Sequence, residues 1–113
     1  FSNDWPAGFQ VKTKTKELVS ADTAKKLDET LHNNVIRTYG EENFPGLDIC
    51  AKSGTAELGE GRAPHAWFTG YIRNENYPYA FIVLVENGGW GSETGGSVAN
   101  TVLQEVIKME PKE

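Results

Sequence analysis

Leu47-Asp48-Ile49-Cys50-Ala51-Lys52-Ser53-Gly54-Thr55-Ala56-Glu57 is the stretch on which the reading of this chain turns. Leu47, Ile49 and Ala51 alternate with Asp48, Cys50 and Lys52, the period of two that a half-buried strand requires. At its centre stands Lys52-Ser53-Gly54-Thr55: a cation, two hydroxyls and a glycine. Along a strand, Lys52 and Gly54 share one face, and Ser53 and Thr55 share the other. A ligand resting on one face would meet half of them. A ligand lying along the strand's edge meets all four, together with the backbone N–H and C=O groups. The stretch is therefore expected to be an edge strand to which a ligand adds as another strand would. Gly54, without a Cβ, lets that ligand come close. Lys52 attracts a carboxylate by about 4 kcal/mol at about 4 Å when partly shielded, and by about 1 kcal/mol in bulk water. The two hydroxyls can donate to the same anion. A plain polar edge strand, its lysine discouraging aggregation, accounts for the four residues as well.

Outward from this strand, the chain divides into a few elements. Ser20 is a good helix N-cap, and Asp22 in the first turn complements the helix dipole. Ala24, Leu27, Leu31 and Val35 then recur at helical spacing, with Lys25, Lys26, Asp28 and Glu29 on the other face. Gly40 suits the residue after a helix end, so a helix is expected over about 21–38. His32 and Asn33 are expected at its surface. Before it, residues 1–19 read as a loop leading into an extended stretch from Phe9 to Val19, anchored by Trp5 and Phe9. Lys12, Lys14 and Lys16 alternate with Thr13 and Thr15, as in a solvated extended segment.

Beyond the helix, Pro45-Gly46 marks a turn, and the strand over about 47–57 follows. Gly59 to Pro64 form a flexible turn. A second strand over about 65–73 holds Trp67, Phe68, Tyr71 and Ile72, and Asn74 to Pro78 turn again. Tyr79-Ala80-Phe81-Ile82-Val83-Leu84-Val85 is a nearly continuous apolar run, which suits a third strand over about 79–86 buried on both faces. Val98, Ala99, Val102, Leu103, Val106 and Ile107 form a broad helical stripe over about 95–109, ended by Pro111. Gly95 and Gly96 weaken its first turn by about 1 kcal/mol each relative to Ala. The short links imply an antiparallel three-stranded meander flanked by two helices, one per face, an α+β arrangement. Such a sheet leaves two edges. An apolar open edge is a pairing hazard, so the sheet is expected to be incomplete here, and a second copy is an expected partner for the Tyr79–Val85 edge.

At 113 residues this is one domain or less. With 38% hydrophobic and 24% charged residues it reads as soluble and globular. A net charge of −5 argues against nucleic acid as a partner, because phosphate binding needs a basic face. One cysteine excludes an internal disulfide and a multi-cysteine metal site, and no metal constellation or cofactor-binding loop is present in the sequence. Cys50 reads as a packing residue, His65 as structural, and Glu57 and Glu86 as solvated or locally hydrogen-bonded carboxylates. No apolar run reaches the roughly 18 residues of a membrane span. The chain begins Phe1-Ser2-Asn3, without an initiator Met, and is expected to be a processed or excised piece whose anchor or export signal lay upstream.

The flanks of the central stretch narrow the choice. After Ala51-Lys52-Ser53-Gly54-Thr55-Ala56-Glu57 come Trp67-Phe68-Thr69-Gly70-Tyr71 and then Glu86-Asn87-Gly88-Gly89, in that order. This closely resembles the C-terminal part of the transpeptidase domain of penicillin-binding proteins, from about Ser20 to Lys108 and most densely from Cys50 to Gly89. The resemblance implies nucleophilic acyl transfer. A serine attacks the penultimate D-Ala carbonyl of a peptidoglycan stem peptide, and a second peptide's amine takes the acyl group; β-lactams mimic the substrate. It also implies roles. Lys52 provides positive potential, and Ser53 and Thr55 bind the carboxylate of substrate or antibiotic. The Thr55 backbone N–H is half of an oxyanion hole, a donor whose loss typically costs about 2.7–4 kcal/mol. The resemblance further implies a parent at the extracytoplasmic face of a bacterial cell membrane.

The departures matter as much. The family needs Ser-x-x-Lys for the nucleophile and its base. The residues three beyond each serine are Trp5, Thr23, Ala56, Gly95 and Asn100, and none is Lys. The family's Ser/Tyr-x-Asn motif is absent too. This chain is therefore expected to be inactive alone, with no catalytic residue of its own, and to depend on the missing N-terminal part of the same domain. That part would carry Ser-x-x-Lys and the strand that pairs with the apolar edge. Serine β-lactamases and β-lactam sensor domains share the fold and the motif, but the Trp-Phe-Thr-Gly-Tyr and Glu-Asn-Gly-Gly segments fit the transpeptidases better. A non-catalytic interaction domain is the remaining alternative.

Overall fold

Ser20 caps the first helix as expected: its Oγ accepts from the Thr23 N–H at 3.2 Å. In the computed structural model, which describes residues 16–109, helix α1 spans Ala21–Asn34. It continues as a π-helical turn, Val35–Tyr39, so the helical path reaches one residue past the expected 38. Gly40 ends it at φ +84°, a left-handed conformation that costs glycine no Cβ clash, and its N–H returns to the Val35 carbonyl at 2.8 Å. The expected anchors Trp5 and Phe9, the Lys12–Thr15 segment and the stop at Pro111 lie outside the described residues. Residues 16–19, the end of the expected extended stretch, are exposed and carry no strand.

Three strands follow: β1 (Ile49–Ala56), β2 (His65–Ile72) and β3 (Ala80–Val85). They form one antiparallel sheet in the order β1-β2-β3, the expected meander, with β1 and β3 at its edges. Ile49 lies opposite Ile72, and Ser53 opposite Phe68, which in turn faces Val83. Ile49, Ala51, Phe68, Ile72, Phe81 and Val83 therefore share one face of the sheet. Helix α2 (Gly96–Met109) packs on this face through Ala99 and Leu103. Phe68 is fully buried at its centre, stacked on Phe44 and Phe81 and met edge-on by Tyr39. At Gly70 a Cβ would run into the Cys50 carbonyl, so only glycine lets β1 and β2 pair this closely there.

Several expectations are corrected. The Tyr79–Val85 run is not covered on both faces: Ile82 is 69% and Leu84 44% exposed on the outer face, because no described element lies over them. The two helices do not take one face each either. Helix α1 reaches only the β1 margin of the outer face, where Asp28 meets Cys50 and Tyr71, and otherwise lies against the outer edge of β1, where the His32 Nδ1–H donates to the Ile49 carbonyl (3.1 Å) and Asn34 Nδ2 to the Ala51 carbonyl (3.0 Å). An edge strand presents unpaired backbone acceptors, so the helix docks polar donors there, and of its expected apolar stripe Val35 is buried in the core and Leu31 half-buried. Thus His32 is half-buried rather than at the surface, whereas Leu27, expected inside, is 49% exposed.

The same docking places Asp28, expected in solvent, in a half-buried network. Its carboxylate accepts from the Tyr71 hydroxyl at 2.7 Å and from the Cys50 thiol, and pairs with Arg73 at 3.0 Å. The Tyr71 hydrogen bond leads in holding the Asp28 carboxyl below its ordinary pKa, against an opposing push from burial. Burial pushes the Cys50 thiol and the Tyr71 phenol up. Cys50, fully buried, is the packing residue it was read to be.

Candidate functional site

Strand β1 carries Lys52, Ser53, Gly54 and Thr55 along an edge of the sheet, as the alternation predicts. In an antiparallel pair every second residue turns its N–H and C=O away from the partner strand. In β1 these are the odd residues. The Ile49 and Ala51 carbonyls meet α1, the Ser53 N–H meets the Tyr39 hydroxyl at 2.7 Å, and the Ser53 carbonyl accepts from Lys52 Nζ at 2.7 Å. By the same parity the Thr55 N–H and C=O point outward, past the end of the helix. The edge is thus capped from Ile49 to Ala51 and opens beyond Ser53.

The side chains divide as a strand requires. Ser53 and Thr55 lie on the core face, and Lys52 and Gly54 on the outer face. Lys52 is exposed, and its long flexible chain curls back so that Nζ reaches the outward edge. The ammonium therefore lies at the strand edge beside Ser53 although its chain starts from the opposite face. Among the described residues nothing crowds Gly54; a Cβ there would meet only Trp67 Cβ, at an ordinary 3.4 Å.

Two residues that sequence reasoning did not single out hold the hydroxyls from behind. Tyr39 donates from its hydroxyl to Ser53 Oγ at 2.9 Å and itself accepts from Asn34 Nδ2 at 2.9 Å. The Gly91 N–H donates to Thr55 Oγ1 at 3.3 Å. Gly91 opens the π-helical turn Gly91–Gly95 that leads into α2. It passes so close over β1 and β2 that a Cβ would overlap the Gly54 and Trp67 carbonyl oxygens. The run of glycines there signals close approach, but not to what. Tyr39 gives no local signal at all, because its contact lies 14 residues away along the chain.

The remaining candidates are structural. His65 Nδ1 accepts from the Asn87 N–H at 3.0 Å, tying the start of β2 to the turn after β3. Glu57 and Glu86 are exposed. Among the described residues no cluster of His, Cys, Asp or Glu could hold a metal ion, and no helix is long and apolar enough to cross a membrane.

The penicillin binding protein transpeptidase domain family matches residues 4–108 of the chain. This chain belongs to that family. It is similar to a peptidoglycan D,D-transpeptidase, PbpA, of Mycobacterium tuberculosis, with 34% identity over 97 residues, covering 82% of this chain and 20% of the relative. The PbpA of Mycolicibacterium smegmatis is 36% identical over 96 residues. Solved transpeptidases share the fold. Penicillin-binding protein A of M. tuberculosis, as an imipenem acyl-enzyme complex, superposes with a TM-score of 0.70 at 28% identity, over 87% of this chain and 22% of that one. The D,D-transpeptidase domain of a peptidoglycan glycosyltransferase from Eggerthella lenta gives 0.69 at 29% identity, over 88% and 24%. The chain thus spans about a fifth of the length of the penicillin-binding proteins it matches. Its three-stranded sheet and two helices are a fragment of the transpeptidase domain.

Proposed function

We propose that this chain is the C-terminal portion of a penicillin-binding domain that cross-links peptidoglycan by serine acyl transfer, and that it supplies the substrate-binding wall of the site. One observation carries the reading: the edge of β1 is capped as far as the Ser53 N–H and opens beyond it at Thr55, beside two hydroxyls and an ammonium. In this reading an extended stem peptide, or a β-lactam in its place, adds along that edge. Ser53 and Thr55 donate to its carboxylate, and Lys52 supplies the positive potential. The outward Thr55 N–H donates to the oxyanion that forms when the carbonyl is attacked, where a preorganised donor stabilises developing charge most.

The nucleophilic serine and the lysine that activates it belong to the rest of the same domain, which is also the proposed partner of the exposed β3 edge. Freed of that partner, the β3 edge would pair with a second copy. Action on peptidoglycan places the working protein at the extracytoplasmic face of a bacterial membrane.

The test is covalent labelling with a fluorescent penicillin. The longer protein containing this chain should label, and Lys52→Ala in it should slow labelling at least tenfold. The 113-residue chain alone should not label. Unchanged labelling in the Lys52→Ala variant would remove the role given to Lys52, and an unlabelled parent would remove the reading as a whole.

A further inference from the structure

The hydrogen bonds behind Ser53 can be counted, and the count fixes where a proton lies. Asn34 faces the Ala51 carbonyl at 3.0 Å. A carbonyl only accepts, so the amide must present its NH2 there, which settles its orientation. That NH2 has two hydrogens: one goes to Ala51 and the other to the Tyr39 oxygen at 2.9 Å. The Ser53 backbone N–H, a second obligate donor, also points at the Tyr39 oxygen, at 2.7 Å. Tyr39 therefore receives two N–H groups and can accept no third hydrogen bond from Ser53. Its own hydroxyl proton is left to go to Ser53 Oγ, 2.9 Å away. Ser53 Oγ accepts this bond, and its own proton has no partner among these groups.

We infer that Asn34 and Tyr39 are positioning residues that force Ser53 to act as a hydrogen-bond donor toward a carboxylate lying on the β1 edge. A serine hydroxyl left to itself rotates and both donates and accepts. Facing an anion, only the donating orientation helps, and turning to it carries an orientational cost. Here Tyr39 occupies the acceptor side in advance, so the O–H is already turned outward. A bond donated by Tyr39 also polarises the Ser53 hydroxyl and strengthens the bond that it donates in turn. The Tyr39 ring is itself fixed, edge-on against the buried Phe68 with centroids 5.3 Å apart. Asn34, in turn, sits at the junction of α1 and the π-helical turn, so the docking of α1 on β1 sets the state of Ser53. Thr55 has a weaker version of the same device, the Gly91 N–H donating to its Oγ1 at 3.3 Å.

The inference rests on the carboxylate-binding role proposed for Ser53, and the test separates the two. In the full-length protein, acylation would be followed with a penicillin and with the methyl ester of the same penicillin, which has no anion. Tyr39→Phe keeps the ring and its packing but removes the proton donor. It should slow acylation by the free acid roughly tenfold, the order expected for a weakened bond to a charged group, while the ester changes less than about twofold. Asn34→Ala removes one of the two N–H groups that lock the Tyr39 proton and should give a smaller loss with the same selectivity. In a Ser53→Ala background, Tyr39→Phe should have no further effect on the free acid.

Equal losses for acid and ester would mean that Tyr39 serves only folding, and would overturn the inference. So would a Tyr39→Phe effect that persists without the Ser53 hydroxyl. If Ser53→Ala itself leaves acid and ester unchanged relative to each other, the carboxylate role of Ser53 fails first, and that outcome is distinct from a failure of Tyr39 alone.

Discussion

Replacing Asp28 with Ala tests whether α1 is held to the sheet as described. The carboxylate accepts from the Tyr71 hydroxyl at 2.7 Å and pairs with Arg73 at 3.0 Å. Its removal leaves a half-buried phenol with only the weakly accepting Cys50 sulfur beside it, which costs about 1–3 kcal/mol. The Arg73 pair, with side chains 32% and 29% exposed, adds no more than about 1 kcal/mol. The expected loss is about 2–3 kcal/mol, read from urea unfolding at neutral pH. Tyr71→Phe removes the orphaned group, so the Asp28→Ala/Tyr71→Phe double variant should be clearly more stable than the sum of the two single losses predicts. The effect should also depend on pH. The Asp28 carboxyl is held below its ordinary range, with the Tyr71 hydrogen bond the largest cause. Its contribution is therefore fully present above that range, about 3.9 for a free aspartate, and is lost as pH falls through the lowered folded value. The gap between wild type and variant should be constant from about pH 5 to 7 and should close below about pH 4. A loss under about 0.5 kcal/mol, additive single variants, or a gap that widens in acid would refute this account of the docking.

Gly91→Ala should destabilise the protein by about 1–3 kcal/mol or more in denaturant unfolding, because the added methyl overlaps the Gly54 and Trp67 carbonyls; a silent substitution would show that the loop yields freely. Lys52→Ala in the longer protein should lower the acylation rate by at least tenfold, within the range of about 1–4 kcal/mol for a screened to partly shielded charge, with the loss shrinking as salt rises. Ile82→Lys adds a charge to a side chain that is 69% exposed on the open β3 edge. It should reduce self-association of the 113-residue chain in light scattering, and an unchanged mass distribution would argue against pairing through that edge.

The apolar surface around Ile82 extends onto α2. Val98 and Val102 of α2 are 40% and 52% exposed beside Ile82 and Leu84 of β3, and together they border an apolar groove of about 340 Å³. The residues have the composition of a core, but the described part of the chain covers only Ala99, Leu103, Phe81 and Val83. A sequence records that a residue is apolar. Which face is covered depends on what else is present.

Alternation and punctuation in the sequence determined the order of the elements, the antiparallel meander, the N-cap at Ser20, the left-handed Gly40 and the edge position of Lys52-Ser53-Gly54-Thr55. Those features are set by neighbours a few residues apart, where period, caps and turn chemistry act directly. Tertiary structure decided the rest. The apolar stripe of α1 pointed to one docking face, but only its end, Val35, reaches the core; the unpaired carbonyls of β1 drew His32 and Asn34 inward, the Tyr71 hydroxyl and Arg73 took Asp28, and Leu27 was left exposed. The same contact brought Tyr39 behind Ser53, fixing a proton that no local pattern could place. Backbone groups at a sheet edge must find partners, and which side chains provide them is settled only when distant segments meet.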